Sequence, residues 1–169
     1  MKRLYYDIEK CMACKTCEIA CCLGHSKSMD ILKAMFEEPL SLPRIKVKDK
    51  DKKPYPMSCR HCDEPLCVKA CMSGCLTKDK KTGLVLLDKD RCVGCWMCVM
   101  VCPYAAIRPN QKTRIPLRCD MCKDLEMPEC VKSCPTGAII WDEDEALPVG
   151  TVPDRANAGK PKGTHPTTR

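Results

Sequence analysis

Apolar residues in this chain come in short runs. Leu4-Tyr5-Tyr6 leads to Asp7, Leu84 to Leu87 leads to Asp88, and Ala138 to Trp141 leads to Asp142. Runs of this length bounded by polar and turn residues predict short strands. Lys81-Thr82-Gly83, between Leu76-Thr77 and Leu84, predicts the turn of a hairpin. The stretch Ile31 to Phe36 predicts a short helix. From Arg44 the chain alternates apolar and basic residues (Ile45, Lys46, Val47, Lys48) and then dissolves into charge, which predicts an exposed strand with a solvated turn. That strand is also a candidate docking surface for an acidic partner. The tail Pro148 to Arg169 is rich in Pro, Gly, Thr and Lys and has no period, so alone it should be disordered. The expectation is that it becomes ordered on a partner. The most apolar run, Trp96 to Ile107, is short and holds two cysteines. No stretch reaches the ~18 apolar residues of a membrane span.

Composition changes the picture sharply. Cysteine contributes 18 of 169 residues and sits inside the 44% counted as hydrophobic, so the remainder is roughly 33%. An ordinary globular domain has ~45–50%. There are one phenylalanine and two tryptophans. A large conventional core is out of reach, and another material must fill the interior. The first residues, Met1 to Lys10, show no apolar signal region. The chain is therefore read as cytoplasmic, where thiols stay reduced and a disulfide scaffold is not expected.

Sixteen cysteines fall into four groups of four. Cys11, Cys14, Cys17 and Cys21 are spaced C-x2-C-x2-C-x3-C. Cys59, Cys62, Cys67 and Cys71 are spaced C-x2-C-x4-C-x3-C. Cys92, Cys95, Cys98 and Cys102 repeat the first spacing and are followed by Pro103, the bacterial ferredoxin run. Cys119, Cys122, Cys130 and Cys134 carry a longer central gap and are followed by Pro135. Three thiolates in one tight loop suit the corners of a cuboidal iron–sulfur cluster, and the fourth cysteine is expected to open a helix that leads away. In two-cluster ferredoxins that fourth cysteine ligates the other cluster. Zinc sites use paired C-x2-C units and need neither triplets nor a following proline. Radical chemistry on S-adenosylmethionine uses a C-x3-C-x2-C order, which is missing here.

The groups form two kinds. The first and third are each entered by an apolar strand, an Asp, two residues and a base. The second and fourth share Pro65-Leu66-Cys67-Val68-Lys69-Ala70-Cys71 against Pro128-Glu129-Cys130-Val131-Lys132-Ser133-Cys134. This is the mark of an internal duplication. The second and third groups are joined by the predicted hairpin. The strand before the first group and the strand after the fourth then have each other as partners. The rival arrangement pairs group one with two and three with four; the hairpin favours the former.

The expected fold is α+β, with two ferredoxin-like 2[4Fe-4S] lobes related by internal duplication, short hairpins and helices, and long loops. Residues 1–22 with 115–147 form the outer lobe, 57–114 the inner lobe, 23–56 an insertion and 148–169 an extended C-terminal tail. Crossed ligation gives four [4Fe-4S] sets. The first is Cys11, Cys14, Cys17 with Cys134, and the second Cys119, Cys122, Cys130 with Cys21. The third is Cys59, Cys62, Cys67 with Cys102, and the fourth Cys92, Cys95, Cys98 with Cys71. Cys22 competes with Cys21, but the three-residue gap of the other groups favours Cys21. Cys75 stands where Ala106 and Ala138 stand in the matching runs and reads as a small packed residue. His61 and Trp96, each between two candidate ligands, are candidates to tune or shield a cluster. His25 is expected to pack on or cap the first helix.

Over about residues 2 to 145, the four groups and their order resemble the electron-transfer subunits of the dimethyl-sulfoxide-reductase type. The stretch from Cys17-Glu18-Ile19-Ala20-Cys21 through Gly24-His25-Ser26 and Phe36-Glu37-Glu38-Pro39 is similar to small iron–sulfur subunits serving carbon-monoxide dehydrogenase or tungsten aldehyde oxidoreductase. Met72 departs from the proline usual after that cysteine. The resemblance implies a non-catalytic subunit that relays electrons between a partner metallo-oxidoreductase and a second redox protein. A free diffusible polyferredoxin and a zinc-binding interaction module are the competing readings. The apoprotein charge is +7. Four clusters at about −2 each bring the holoprotein near −1, so the basic excess offsets cofactors and does not call for nucleic acid.

Overall fold

The computed structural model describes residues 3–50 and 53–142. The C-terminal tail, and residues 143–147 assigned above to the outer lobe, lie outside them. Among the described residues the strands pair as three two-stranded antiparallel sheets. Strand β1 (Arg3–Tyr6) pairs with β6 (Ile139–Asp142), with Tyr5 opposite Ile140. The first and last described strands therefore meet, as strands without local partners require. Strand β4 (Leu76–Lys78) pairs with β5 (Val85–Leu87) across the expected hairpin. Asp79 shapes that turn by accepting from the Lys81 and Thr82 amides.

The third sheet departs from the sequence reading. Strand β2 (Lys46–Lys50) forms where the alternation predicted a strand, with Lys46 and Asp49 exposed, but it has a partner the pattern did not show, β3 (Lys53–Met57). Ile45, just before it, is 1% exposed and packs with Tyr6, Cys17, Cys21, Cys130 and Ile139. Val47 leans on the same cluster, and its amide donates to Glu18 at 2.8 Å. Pro54 and Pro56 hid β3 from the pattern. Prolines two apart remove donors from one edge only, which a two-stranded sheet tolerates on its outer side.

The helices are short and sit on the cysteine groups. Helix α1 spans Thr16–Leu23, α3 Leu66–Lys69, α4 Met97–Met100 and α5 Glu129–Lys132. Each holds the third cysteine of its group, and the fourth lies one turn on. The sequence reading placed a helix after the fourth cysteine. The C-x3-C gap is itself the helical turn, since residues four apart share one face. Helix α2 (Ile31–Ala34) is capped by the Asp30 carboxylate, which accepts from the Lys33 amide at 3.0 Å. Helix α1 packs on α5, and α3 on α4.

The core is divided and sulfur-rich. One cluster surrounds Ile45, and a second joins Cys75, Leu76, Val85, Cys98 and Ile107. A third is formed by Cys59, Cys119 and Met121. Few aliphatic side chains carry each cluster, so each matters. Ile45→Ala is expected to cost about 2–5 kcal/mol, the range for emptying a buried aliphatic site. Anaerobic guanidinium unfolding of the metal-loaded protein measures it.

Candidate metal centres

Each cysteine group begins as a loop with the same backbone device. The residue before the second cysteine is left-handed in all four: Ala13 (φ 59°), His61 (φ 48°), Gly94 (φ 68°) and Met121 (φ 62°). In the first and third groups the residue after that cysteine, Lys15 or Trp96, is left-handed too. Left-handed residues curl a loop so that its sulfurs converge, at a cost that non-glycine residues bear mainly at functional sites. At Gly94 a Cβ would also meet the Arg114 carbonyl oxygen at 2.8 Å, so glycine is required there by space as well.

The loops gather the thiols into four neighbourhoods. Cys11, Cys14, Cys17 and Cys134 line one cavity together with Lys15, Val47 and Ile139. Cys59, Cys62, Cys67 and Cys102 line another together with Val85 and Ile107. Cys98 has Cys92, Cys95 and Cys71 as its sulfur neighbours. Cys130 lies among Cys119, Cys21 and Cys122, with Cys17 beyond. In each case the fourth cysteine comes from a different group than the first three.

Burial makes several of these thiols poor acids, while hydrogen bonds hold Cys14, Cys21, Cys71 and Cys134 below the usual thiol range. Burial pushes Cys17 and Cys119 up to about 12 and Cys67 up to about 11, with the neighbouring sulfurs adding to the rise. Thiolates crowded in such a place need bound cations to exist at neutral pH. A second feature points to a buried acceptor-rich group. Arg3 Nε, His61 Nε2 and Arg118 Nε are buried donors with no acceptor among the described residues. Such an orphan costs about 1–3 kcal/mol, and the sulfide-rich anion of an iron–sulfur cluster would offer acceptors. The residues present therefore fit such a group.

Most of the chain is similar to known proteins. The 4Fe-4S dicluster domain family matches residues 51–144, and a 4Fe-4S binding domain matches residues 8–27.

The chain belongs to the 4Fe-4S dicluster family.

An iron–sulfur protein of Rhodospirillum rubrum is 34% identical over 170 residues, covering 90% of this chain and 88% of its own. The electron transport protein HydN of Escherichia coli is 35% identical over 150 residues, covering 79% and 83%. The formate dehydrogenase iron–sulfur subunit of Haemophilus influenzae is 29% identical and covers 85% of this chain, which spans only 52% of that subunit. Family membership makes this an iron–sulfur protein of the 4Fe-4S type, with the small mixed α/β fold of ferredoxins.

Within that family frame the remaining candidates fall into place unevenly. Cys22 is half-buried, with Cys21, Glu18, His25 and Arg108 around it and no further sulfur among its main neighbours. Cys75 is buried in the core as expected, yet its Sγ lies 3.4 Å from that of Cys71. Trp96 is half-buried at the start of α4. His61 is fully buried. Its Nδ1 accepts the Val85 amide at 2.9 Å, and burial with Arg118 and Arg3 nearby lowers its pKa to about 3, so it is neutral.

His25 caps α1 as expected, its Nδ1 meeting the Cys21 carbonyl at 2.8 Å. Its other nitrogen meets Asp120 at 3.1 Å, a partner 95 residues away that sequence reasoning missed. Asp120 also pairs with Arg44, whose amide donates to Cys21 Sγ at 3.2 Å, and accepts from the Cys122 amide at 3.2 Å. This knot ties the insertion to the fourth group. Burial opposes ionisation of Asp120, but His25 and Arg44 outweigh it and hold the carboxyl well below the usual range. A depressed carboxylate stabilises the fold above its unfolded pKa of ~3.9 and loses that contribution as pH falls. Asp120→Asn is therefore expected to cost about 1–3 kcal/mol at pH 7. Anaerobic denaturation at pH 7 followed by visible absorbance checks this, the variant bleaching at lower guanidinium concentration than the native protein.

Proposed function

We propose that this protein is a non-catalytic electron-transfer subunit carrying four [4Fe-4S] clusters. The ligand sets are Cys11, Cys14, Cys17 and Cys134; Cys119, Cys122, Cys130 and Cys21; Cys59, Cys62, Cys67 and Cys102; and Cys92, Cys95, Cys98 and Cys71. The observation that carries the reading is the order of these quartets in space. Cys17 of the first is a neighbour of Cys130 in the second. Cys119 of the second is a neighbour of Cys59 in the third. The third and fourth share one core through Cys67, Cys102, Cys98 and Cys71. The string opens to solvent at its two ends, where Cys14 and Cys95 are exposed, whereas all four thiols of the second quartet are buried. When bound, each cluster takes up and releases one electron. The chain supplies the ligands, keeps water from the middle of the string and leaves an exposed port at each end.

Two exposed ports suit two partners. One is a catalytic metallo-oxidoreductase, in line with relatives named as a formate dehydrogenase subunit and a probable dimethyl sulfoxide reductase chain. The stretch Cys17 to Pro39 favours a carbon-monoxide dehydrogenase or tungsten aldehyde oxidoreductase within that class. The other is a second redox protein. We place the protein in the cytoplasm, and no helix among the described residues is long and apolar enough to cross a membrane. The two-lobe duplication belongs to the same reading. Its support is the matched pairing of β1 with β6 and of β4 with β5, each beside two quartets.

Iron and acid-labile sulfide analysis on the anaerobically purified protein is expected to give about sixteen of each per chain. Cys21→Ser should lose the iron of one cluster, or convert it to a three-iron form, while Cys22→Ser retains the full content. Zinc in place of iron, or equal loss in both variants, would overturn the assignment.

A further inference from the structure

The middle of the string holds a buried positive charge. Arg118 is 5% exposed and directly precedes Cys119. Its Nη2 donates to the Sγ of Cys59, 59 residues away and in the neighbouring quartet, at 3.3 Å. Its Nη1 is anchored on the Val85 carbonyl at 2.6 Å. Its Nη2 also stands 3.4 Å from His61 Nδ1, which is uncharged. Among the described residues no carboxylate pairs with Arg118. Asp120 is paired with His25 and Arg44, and Asp63 with Arg3 and Lys78.

The same sequence position elsewhere is different. A base also precedes the first cysteine of the first and third groups. Lys10 is 55% exposed in its side chain and pairs with Asp7. Arg91 is exposed and donates to the Ser73 carbonyl. Ser58 fills the place in the second group and bonds to Tyr6. Arg118 is thus the one base at that position turned inward, onto a sulfur of another quartet.

We infer that Arg118 sets the reduction potential at the centre of the string. This rests on the four-cluster reading above. A fixed cation in a dry interior interacts strongly with added negative charge. Hydrogen bonds to ligand sulfurs and local charge are the protein's means of tuning such a centre. The step is a plain one-electron transfer. One electron leaves the donor cluster and enters the cluster at Cys59, no bond forms or breaks, and Arg118 keeps its protons throughout. By favouring the reduced form at Cys59, the guanidinium makes the middle of the string an electron-accepting place. Arg118 is a positioning residue that acts through Cys59.

Redox titrations of the holoprotein followed by electron paramagnetic resonance test this with Arg118→Gln and Arg118→Lys. With wild-type iron content, Arg118→Gln is expected to lower the one-electron reduction constant of one cluster at least tenfold, about 59 mV. The other clusters should move less, and Arg118→Lys, which keeps the charge, should recover much of the loss. An iron-replete Arg118→Gln protein with unchanged potentials would overturn the inference. Equal shifts in both variants would also overturn it, because a merely structural role would not distinguish the charge. If Arg118→Gln loses iron, the wild type decides. Protein labelled with ¹⁵N-arginine and partly reduced should show nitrogen coupling to a cluster in pulsed resonance, and no coupling would refute the contact. A wild type without iron–sulfur clusters would instead fail the four-cluster reading itself.

Discussion

A cysteine sulfur in a protein interior is comfortable as a thiol and costly as a thiolate, unless a cation takes up its charge. This chain places thiol after thiol in that position. Cys17, Cys119 and Cys130 are buried beside other sulfurs, and burial raises the pKa of each. The hydrophobic clusters around them are small, and cysteines are members of all three. Coordination and folding are therefore one process here. Iron binding supplies the charge that lets the sulfurs ionise and the covalent ties that join loops a small apolar core could not hold. The left-handed Ala13, His61 and Met121 before their second cysteines are strain that coordination repays.

Much of this was legible in the cysteine spacing. A ligand run needs fixed gaps, so groups of four are visible however the rest of the chain varies. Two strands without local partners implied that they pair with each other, and β1 with β6 does so. What stayed hidden was set by contacts far apart in sequence. Asp120 looks like any surface acid until His25 and Arg44 close on it. Arg118 looks like Lys10 and Arg91 in sequence, and only burial separates them. Strand β3 was masked by Pro54 and Pro56, since propensity counts prolines without knowing which edge they face. The helix position was misjudged because a four-residue turn is too short to show an apolar period.

The proposed string differs between its ends and its middle. The ends are loops with exposed thiols, Cys14 and Cys95, set among exposed apolar side chains such as Met12 and Val93. The middle is closed by buried cationic and polar groups, Arg3, His61 and Arg118. An electron carrier needs both. Its ends must approach partners closely, and its interior must hold charge away from water. The insertion contributes by bringing Ile45 and Arg44 against α1 and the fourth group. It thereby completes the wall around Cys21, which is more than decoration of a ferredoxin core.

On the proposed function, four one-electron centres share this single chain. Anaerobic reductive titration of the purified holoprotein, with the electrons consumed counted against the bleaching of its visible absorption, tests it most directly. Uptake of four electrons per chain at full bleaching is the predicted result. Uptake of two electrons or fewer, in protein with its full metal content, would contradict it.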